Sequence, residues 1–223
     1  MRKTLKKILA NLPVDNVEKI LAYCMLKQDF PQLATVPMFS NREQLWDDCI
    51  DRFSDARPLT YVEFGVFEGY SIRYFSETVR NPQSKFFGLD SFEGLPEDWG
   101  SKPKGTFDVQ GNMPLVNDER VSFIKGWFQD SMPTLLNQLN GVTKTSLIVH
   151  YDADLYSSTL YCLAAINSLN VSYYAIFDEF TGHETRALKN YIQAFGASVQ
   201  FLGKTETSGF PGQVLCKISP HFT

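Results

Sequence analysis

The stretch Tyr61-Val-Glu-Phe-Gly-Val-Phe-Glu-Gly-Tyr-Ser71 decides the fold class. It passes from an apolar, β-rich segment through two glycines into an amphipathic pattern that continues at Ile72, Phe75 and Val79. A strand that turns tightly into a helix is the opening unit of a parallel α/β sheet; glycines in the turn let a ligand approach the backbone, and the helix start offers unpaired N–H groups. The dinucleotide fingerprint is broken, because Phe67 stands where its middle glycine belongs.

Outward from this unit, short β-rich runs at 61–64, 86–89, 121–124, 146–150 and 173–177 alternate with helical patterns at 71–78, 132–139, 159–169 and 184–195. Such alternation predicts a parallel sheet with helical crossovers. The final runs, 198–202 and 213–218, are joined by a turn-rich stretch without a helix, so they pair antiparallel. The expected architecture is a doubly wound, Rossmann-like sheet of seven strands, mostly parallel, with an antiparallel C-terminal hairpin. Upstream, Leu45, Trp46, Cys49, Ile50 and Phe53 recur at helical spacing and no good strand precedes Pro58. The chain therefore divides into a helical N-terminal extension or lid, 1–57, and a ligand-binding domain, 58–223. The connection 91–117 is long and rich in Gly and Pro, which marks a functional loop and predicts a lid.

The 223 residues are 43% hydrophobic and carry a net charge of −4, enough apolar content for a substantial core and no electrostatic reason to expect nucleic acid as the main partner. A hydroxylated small molecule suits this balance better. The four cysteines, Cys24, Cys49, Cys162 and Cys216, are far apart and form no Cys-x-x-Cys pair, which reads as reduced thiols in a cytoplasmic protein. Residues 1–12 are basic and amphipathic, but Lys6 and Lys7 interrupt the apolar residues, so neither a signal-peptide core nor a stable membrane span is expected. A homo-oligomer through this region is compatible with the pattern.

Glu63 lies at the end of the first strand, where a carboxylate would repel a pyrophosphate but attract the ammonium and sulfonium charges of S-adenosylmethionine. Phe86-Phe-Gly-Leu-Asp90 ends a second strand in an acid, about twenty residues beyond the glycines, where a carboxylate can accept ribose hydroxyls. The plainer alternative is that Glu63 and Asp90 only cap a helix and a turn.

Four motifs in order, Glu63-Phe-Gly-Val-Phe-Glu-Gly-Tyr-Ser71, Leu89-Asp-Ser-Phe-Glu-Gly-Leu-Pro96, Gly126-Trp-Phe-Gln-Asp130 and Asp152-Ala-Asp-Leu-Tyr-Ser-Ser-Thr159, resemble the macrocin O-methyltransferase family across 60–187. That resemblance implies a class I S-adenosylmethionine-dependent O-methyltransferase, of the kind that acts on sugar hydroxyls in natural product biosynthesis with bound magnesium. It also implies that Gly65, Val66, Phe67, Gly69 and Ser71 surround the methionine moiety, with Asp90 on the ribose. Ser91 and Phe92 would border the adenine, and Trp127, Phe128 and Gln129 would complete its wall. Stacking aromatics and an amide for the purine edge make that chemically sensible, although ordinary core packing would also use such aromatics.

His150-Tyr-Asp-Ala-Asp154 and Phe177-Asp-Glu-Phe180 follow two neighbouring parallel strands, so their acids emerge at one edge of the sheet. Oxygen ligands without a cysteine or histidine cluster suit Mg²⁺, with Asp152, Asp178 and Glu179 as the expected ligands. The family often has two aspartates where this chain has Asp178-Glu179. Acids that merely cap turns, without metal, are the alternative. Asp152 and His183 are the candidate catalytic bases, and His183 can instead simply begin a helix. Two rival functions fit parts of the pattern: a metal-dependent glycosyltransferase using Asp152-Ala153-Asp154, and a noncatalytic domain of the same fold.

Overall fold

The computed structural model describes residues 14–53, 57–139, 146–207 and 209–220, with side chains from residue 21 onward. The basic stretch 1–12 and His221 lie outside the described residues. The elements in chain order are α1 (Val14–Asp29), a short 3-10 turn (Pro31–Ala34), β1 (Met38–Phe39), α2 (Arg42–Asp51), β2 (Leu59–Phe64), α3 (Tyr70–Thr78), β3 (Lys85–Asp90) and β4 (Val121–Lys125). They continue with α4 (Phe128–Gln138), β5 (Ser146–Tyr151), α5 (Tyr156–Asn167), β6 (Tyr173–Phe177), α6 (His183–Phe195), β7 (Ser198–Thr207) and β8 (Phe210–Ser219).

The strands form one eight-stranded sheet in the order β1-β7-β8-β6-β5-β2-β3-β4. β4, β3, β2, β5 and β6 run parallel, and β8 is antiparallel to both β6 and β7. Seven of these strands match the expected layout. The eighth, β1, pairs parallel with β7 through Met38 and Phe39, upstream of Pro58 where no strand was expected. Two residues carry no period-2 signal, and their extended conformation comes from the backbone of β7.

Alternation along β2 builds the two faces. Leu59 and Tyr61 enter a core with Ile72 and Phe75 of α3 and Trp46 of α2; Val62 and Phe64 enter the opposite core with α4, α5 and α6. Every residue of β2 is buried, as a central parallel strand covered by helices on both sides requires. The N-terminal segment belongs to both layers. Leu26, Phe30 and Leu33 join one core, Leu45, Trp46 and Cys49 the other, and Lys189 of α6 pairs with Asp29 at 2.7 Å. All four cysteines are free thiols. Among the described residues, no helix is long and apolar enough to cross a membrane.

Candidate active site

The carboxyl ends of β2, β3, β5 and β6 open into a cleft of about 670 Å³, within the range of small-molecule and cofactor sites. Its floor is the β2–α3 turn. Gly65 has φ +90° and a Cβ there would stand 1.8 Å from the Asp152 carbonyl oxygen, so only glycine lets the turn meet the end of β5. Gly69, at φ +74°, starts α3 against the Pro114 ring.

Asp90 organises this floor. Its Oδ2 accepts the N–H groups of Val66 (2.8 Å) and Phe67 (2.9 Å), and its Oδ1 accepts Phe92 N–H at 2.7 Å. Asp90 thus caps a turn and lines the cleft at once, and lone-pair capacity remains on the carboxylate for a ligand hydroxyl. Of the other residues expected around a cofactor, Gly65, Phe67, Ser91, Trp127, Phe128 and Gln129 line the cleft. Glu63, Val66, Gly69, Ser71 and Phe92 lie outside its lining. Val66 and Phe92 are core residues on the α3 side of the sheet, where Phe92 packs edge-on to Phe123. The left-handed φ of +59° at Phe92 and the bond from its N–H to Asp90 go with a ring that is buried and outside the cleft lining.

Glu63 is fully buried beneath the turn, takes a hydrogen bond from the Ser71 hydroxyl, and leaves Oε2 without a partner. Burial pushes its carboxyl up to about 8, opposed by the Ser71 bond and reinforced by Asp178 and Asp90. Without ligand it is therefore mainly protonated at neutral pH, and the expected attraction for an ammonium develops only when a cation arrives to favour the ionised form.

The opposite wall is a set of acids. Asp152, Asp154, Asp178 and Glu179 line the cleft, and Glu184 lies behind them, buried, with Oε2 accepting Glu179 N–H at 3.1 Å and Oε1 unpartnered. Burial, then Asp178, Asp154 and Glu63, holds the Asp152 carboxyl well above the usual range; Asp154 is pushed up to about 7 by burial, with Lys102 opposing. Lys102 is the cation that acts on this cluster, lowering Asp154 and Glu179 against the effect of burial. Among the described residues, no three His, Cys, Asp or Glu side chains already converge as a metal-ligating group. The expected ligands Asp152, Asp178 and Glu179 all line the cleft; Gln213 Nε2 donates to Asp178 Oδ1, and Glu179 is exposed.

His183, the second candidate base, does not line the cleft. Its Nδ1 accepts the Tyr156 N–H at 3.1 Å and caps the start of α5, so that ring nitrogen is committed to structure. The 91–117 connection closes on itself through Leu95 N to Thr106 O and Gly105 N to Leu95 O, both 2.9 Å. It contributes Leu95, Lys102, Lys104 and Phe107 to the cleft wall. The lysines were not singled out from sequence, since isolated Lys in a polar stretch carries no pattern; Ser157 and Ser158, at the start of α5, lie inside the Asp152–Thr159 motif but were given no role there.

The buried acids make stability pH-dependent. Folded Glu63 holds its proton to about pH 8, whereas the ordinary value is 4.5, so folding takes up protons in that window and raising the pH destabilises. His150 acts oppositely but lower: burial depresses it from 6.5 to about 4, which makes stability rise with pH only up to about 6.5. The ligand-free protein should therefore lose melting temperature from pH 6.5 to 8. Glu63→Gln, which keeps an acceptor for Ser71, should flatten that slope by up to about 1.4 kcal/mol per pH unit. Equal slopes in both proteins, followed by calorimetry, would contradict the assignment.

The glycine floor, the acids near the ends of β2 and β3, and the mostly parallel sheet closed by the antiparallel β7–β8 hairpin fit the class I S-adenosylmethionine-dependent methyltransferase that the sequence motifs resemble. The Macrocin-O-methyltransferase (TylF) family matches residues 15–200, so the chain belongs to that family and is an S-adenosylmethionine-dependent O-methyltransferase. It is 25% identical over 198 residues, covering 78% of this chain and 74% of the relative, to the 8-demethyl-8-(2,3-dimethoxy-alpha-L-rhamnosyl)-tetracenomycin-C 4'-O-methyltransferase of Streptomyces olivaceus. Its fold is similar to an O-methyltransferase from Bacillus cereus in complex with SAH (TM-score 0.51, 12% identity, 94% of this chain and 93% of that one). It is also similar to TomG from Streptomyces achromogenes in complex with SAM (TM-score 0.50, 14% identity, 94% and 92%). Family membership displaces the glycosyltransferase and noncatalytic alternatives.

Proposed function

We propose that the enzyme methylates a hydroxyl on a sugar moiety of a small natural product, with Asp152 as the base and Mg²⁺ held by Asp152, Asp178 and Glu179. The observation that carries this reading is the cleft itself: a glycine turn forms its floor, and Asp152, Asp154, Asp178 and Glu179 line the opposite wall. The named relative, which methylates a rhamnosyl group, supports a sugar acceptor. Ser157, Ser158, Lys102 and Lys104 supply polar contacts of the kind that sugar hydroxyls need.

The cofactor suits the residues present, because the glycine floor excludes any Cβ and Glu63 Oε2 awaits a positive partner. Asp90 would take the ribose, Trp127 and Phe128 the adenine face, and Gln129 its polar edge. Mg²⁺ fits the donor set in kind, oxygen-only and anionic, with exposed Glu179 the side chain free to complete it; when bound, the ion would lower the pKa of the acceptor hydroxyl. Asp152 would take the hydroxyl proton as the acceptor oxygen forms its bond to the methyl carbon and the carbon–sulfur bond breaks. Its raised pKa makes it a poor base in the empty cleft and a better one once positive charge is present.

The reading is tested by calorimetric titration with S-adenosylhomocysteine and then by labelled-methyl transfer to an α-L-rhamnoside, with and without Mg²⁺. S-adenosylhomocysteine should bind, and Asp90→Ala should weaken it by about a hundredfold, because the turn loses its organiser and the ribose its acceptor. Unweakened binding to Asp90→Ala would refute the ribose assignment. Transfer that proceeds equally with chelator would remove the metal.

A further inference from the structure

We propose that Gln213 is a positioning residue for Asp178, and that the indole N–H of Trp46 determines which end of the Gln213 amide faces it. The inference rests on the proposed role of Asp178 in the cleft and extends it to two residues outside the cleft lining.

In the antiparallel β6–β8 pair, Phe177 lies opposite Val214, so the next pair brings Asp178 opposite Gln213. Gln213 is 4% exposed and fully engaged: its Nε2 donates to Asp178 Oδ1, its Oε1 accepts Trp46 Nε1–H at 2.7 Å, and its backbone N–H donates to Thr205 Oγ1 at 2.8 Å. An amide reads either way by shape alone. Here chemistry chooses. Indole N–H is only a donor and a carboxylate only an acceptor, so Oε1 must face Trp46 and Nε2 must face Asp178. Reversing the amide would set donor against donor in the buried contact with Trp46 and acceptor against acceptor at Asp178.

Trp46 is itself immobilised, 1% exposed, with ring contacts to Tyr74 at 5.2 Å, Phe75 at 5.6 Å and His150 at 5.9 Å. On the same side, His150 Nδ1 lies 2.9 Å from the Tyr61 hydroxyl and its unpartnered Nε2 stands 3.9 Å from Asp178 Oδ1. One carboxylate oxygen is thus held from behind by a fixed donor, the Gln213 amide. Among the described residues Oδ2 has no such tether, and Asp178 lines the cleft. The chain from α2 through β8 to the end of β6 makes the N-terminal helical segment part of what orients the site. Partners of this kind are worth about 10–100-fold in metal affinity or activity where they have been removed in other sites.

Two near-isosteric changes separate orientation from packing. Gln213→Met keeps length and removes the donor; Trp46→Phe keeps a ring and removes the N–H that sets the amide. Each full-length variant would be measured by crystal structure, by Mn²⁺ titration with electron paramagnetic resonance, by S-adenosylhomocysteine calorimetry and by melting. The expected result is an Asp178 carboxylate rotated from its present orientation and Mn²⁺ affinity reduced at least tenfold, with S-adenosylhomocysteine affinity changed less than twofold. An unmoved carboxylate, unchanged Mn²⁺ affinity, or a parallel fall of both affinities would overturn it. Should the wild-type enzyme bind no Mn²⁺, the metal reading fails and the Asp178 rotamer alone decides the inference. If Trp46→Phe does not fold, Gln213→Met carries the test.

Discussion

Gly65→Ala should abolish S-adenosylhomocysteine binding and lower the melting temperature by about 8–16 °C, the equivalent of about 4 kcal/mol in a protein of this size. The added Cβ would lie 1.8 Å from the Asp152 carbonyl oxygen and 2.8 Å from its carbon, both backbone atoms with no rotamer to relieve the overlap. Neither side can retreat cheaply. Gly65 N–H donates to Leu89 O and Asp152 N–H to Phe64 O, both at 2.9 Å, so moving the turn breaks a link to β3 and moving β5 breaks a link to β2. The φ of +90° adds strain of its own. Gly100→Ala is the matching control: at φ +56° it also needs the left-handed region, but a Cβ there meets nothing within 4 Å. That variant should lose only about 1 kcal/mol and bind normally. Differential scanning calorimetry on both separates collision from backbone strain, and equal losses would show that the close approach to Asp152 is not what Gly65 provides.

The same turn explains why so much of the architecture was legible. A β-rich run, two glycines and an amphipathic helix are local patterns, and each repeat of the strand–helix alternation is local as well. What escaped is nonlocal. Met38 and Phe39 become a strand only because β7 offers its edge. Gln213 sits in a strand that the sequence does mark, but its meaning depends on the β6–β8 register and on a tryptophan 167 positions away. His183 illustrates the converse: its residue type and its place after a strand suggested a base, whereas the geometry gives its Nδ1 to the Tyr156 N–H. Phe92 was read as facing a ligand from its position in a motif, and the left-handed φ of 59° that turns it into the core has no sequence signature in a phenylalanine. The acids Asp90, Asp152, Asp178 and Glu179 were placed correctly at one sheet edge, since strand ends fix where such residues emerge.

Asp152→Asn should reduce labelled-methyl transfer to a sugar acceptor by about a thousandfold or more while leaving S-adenosylhomocysteine affinity within a few-fold of wild type. The side chain lines the cleft, whereas its backbone N–H and carbonyl form part of the floor, and an asparagine preserves those backbone contacts. The amide also removes what holds the Asp152 carboxyl high, first the cost of burying its charge and then the repulsion from Asp178, Asp154, Glu63 and Glu184. The substitution should therefore raise the melting temperature of the ligand-free protein as it destroys turnover. Opposite signs for stability and activity are what a site that stores like charge produces, and a merely structural carboxylate would lose both together. Asp154→Asn is the internal comparison: Asp154 lines the cleft under the influence of Lys102, with burial pushing its carboxyl up to about 7, and its loss should cost at most about tenfold. If Asp152→Asn retained full turnover in the presence of chelator, Asp152 would be neither the base nor a ligand, and proton removal would have to be assigned to another group facing the cleft. If instead Asp154→Asn were the silent enzyme and Asp152→Asn the active one, the acceptor would lie on the loop side of the acids, against Lys102 and Phe107.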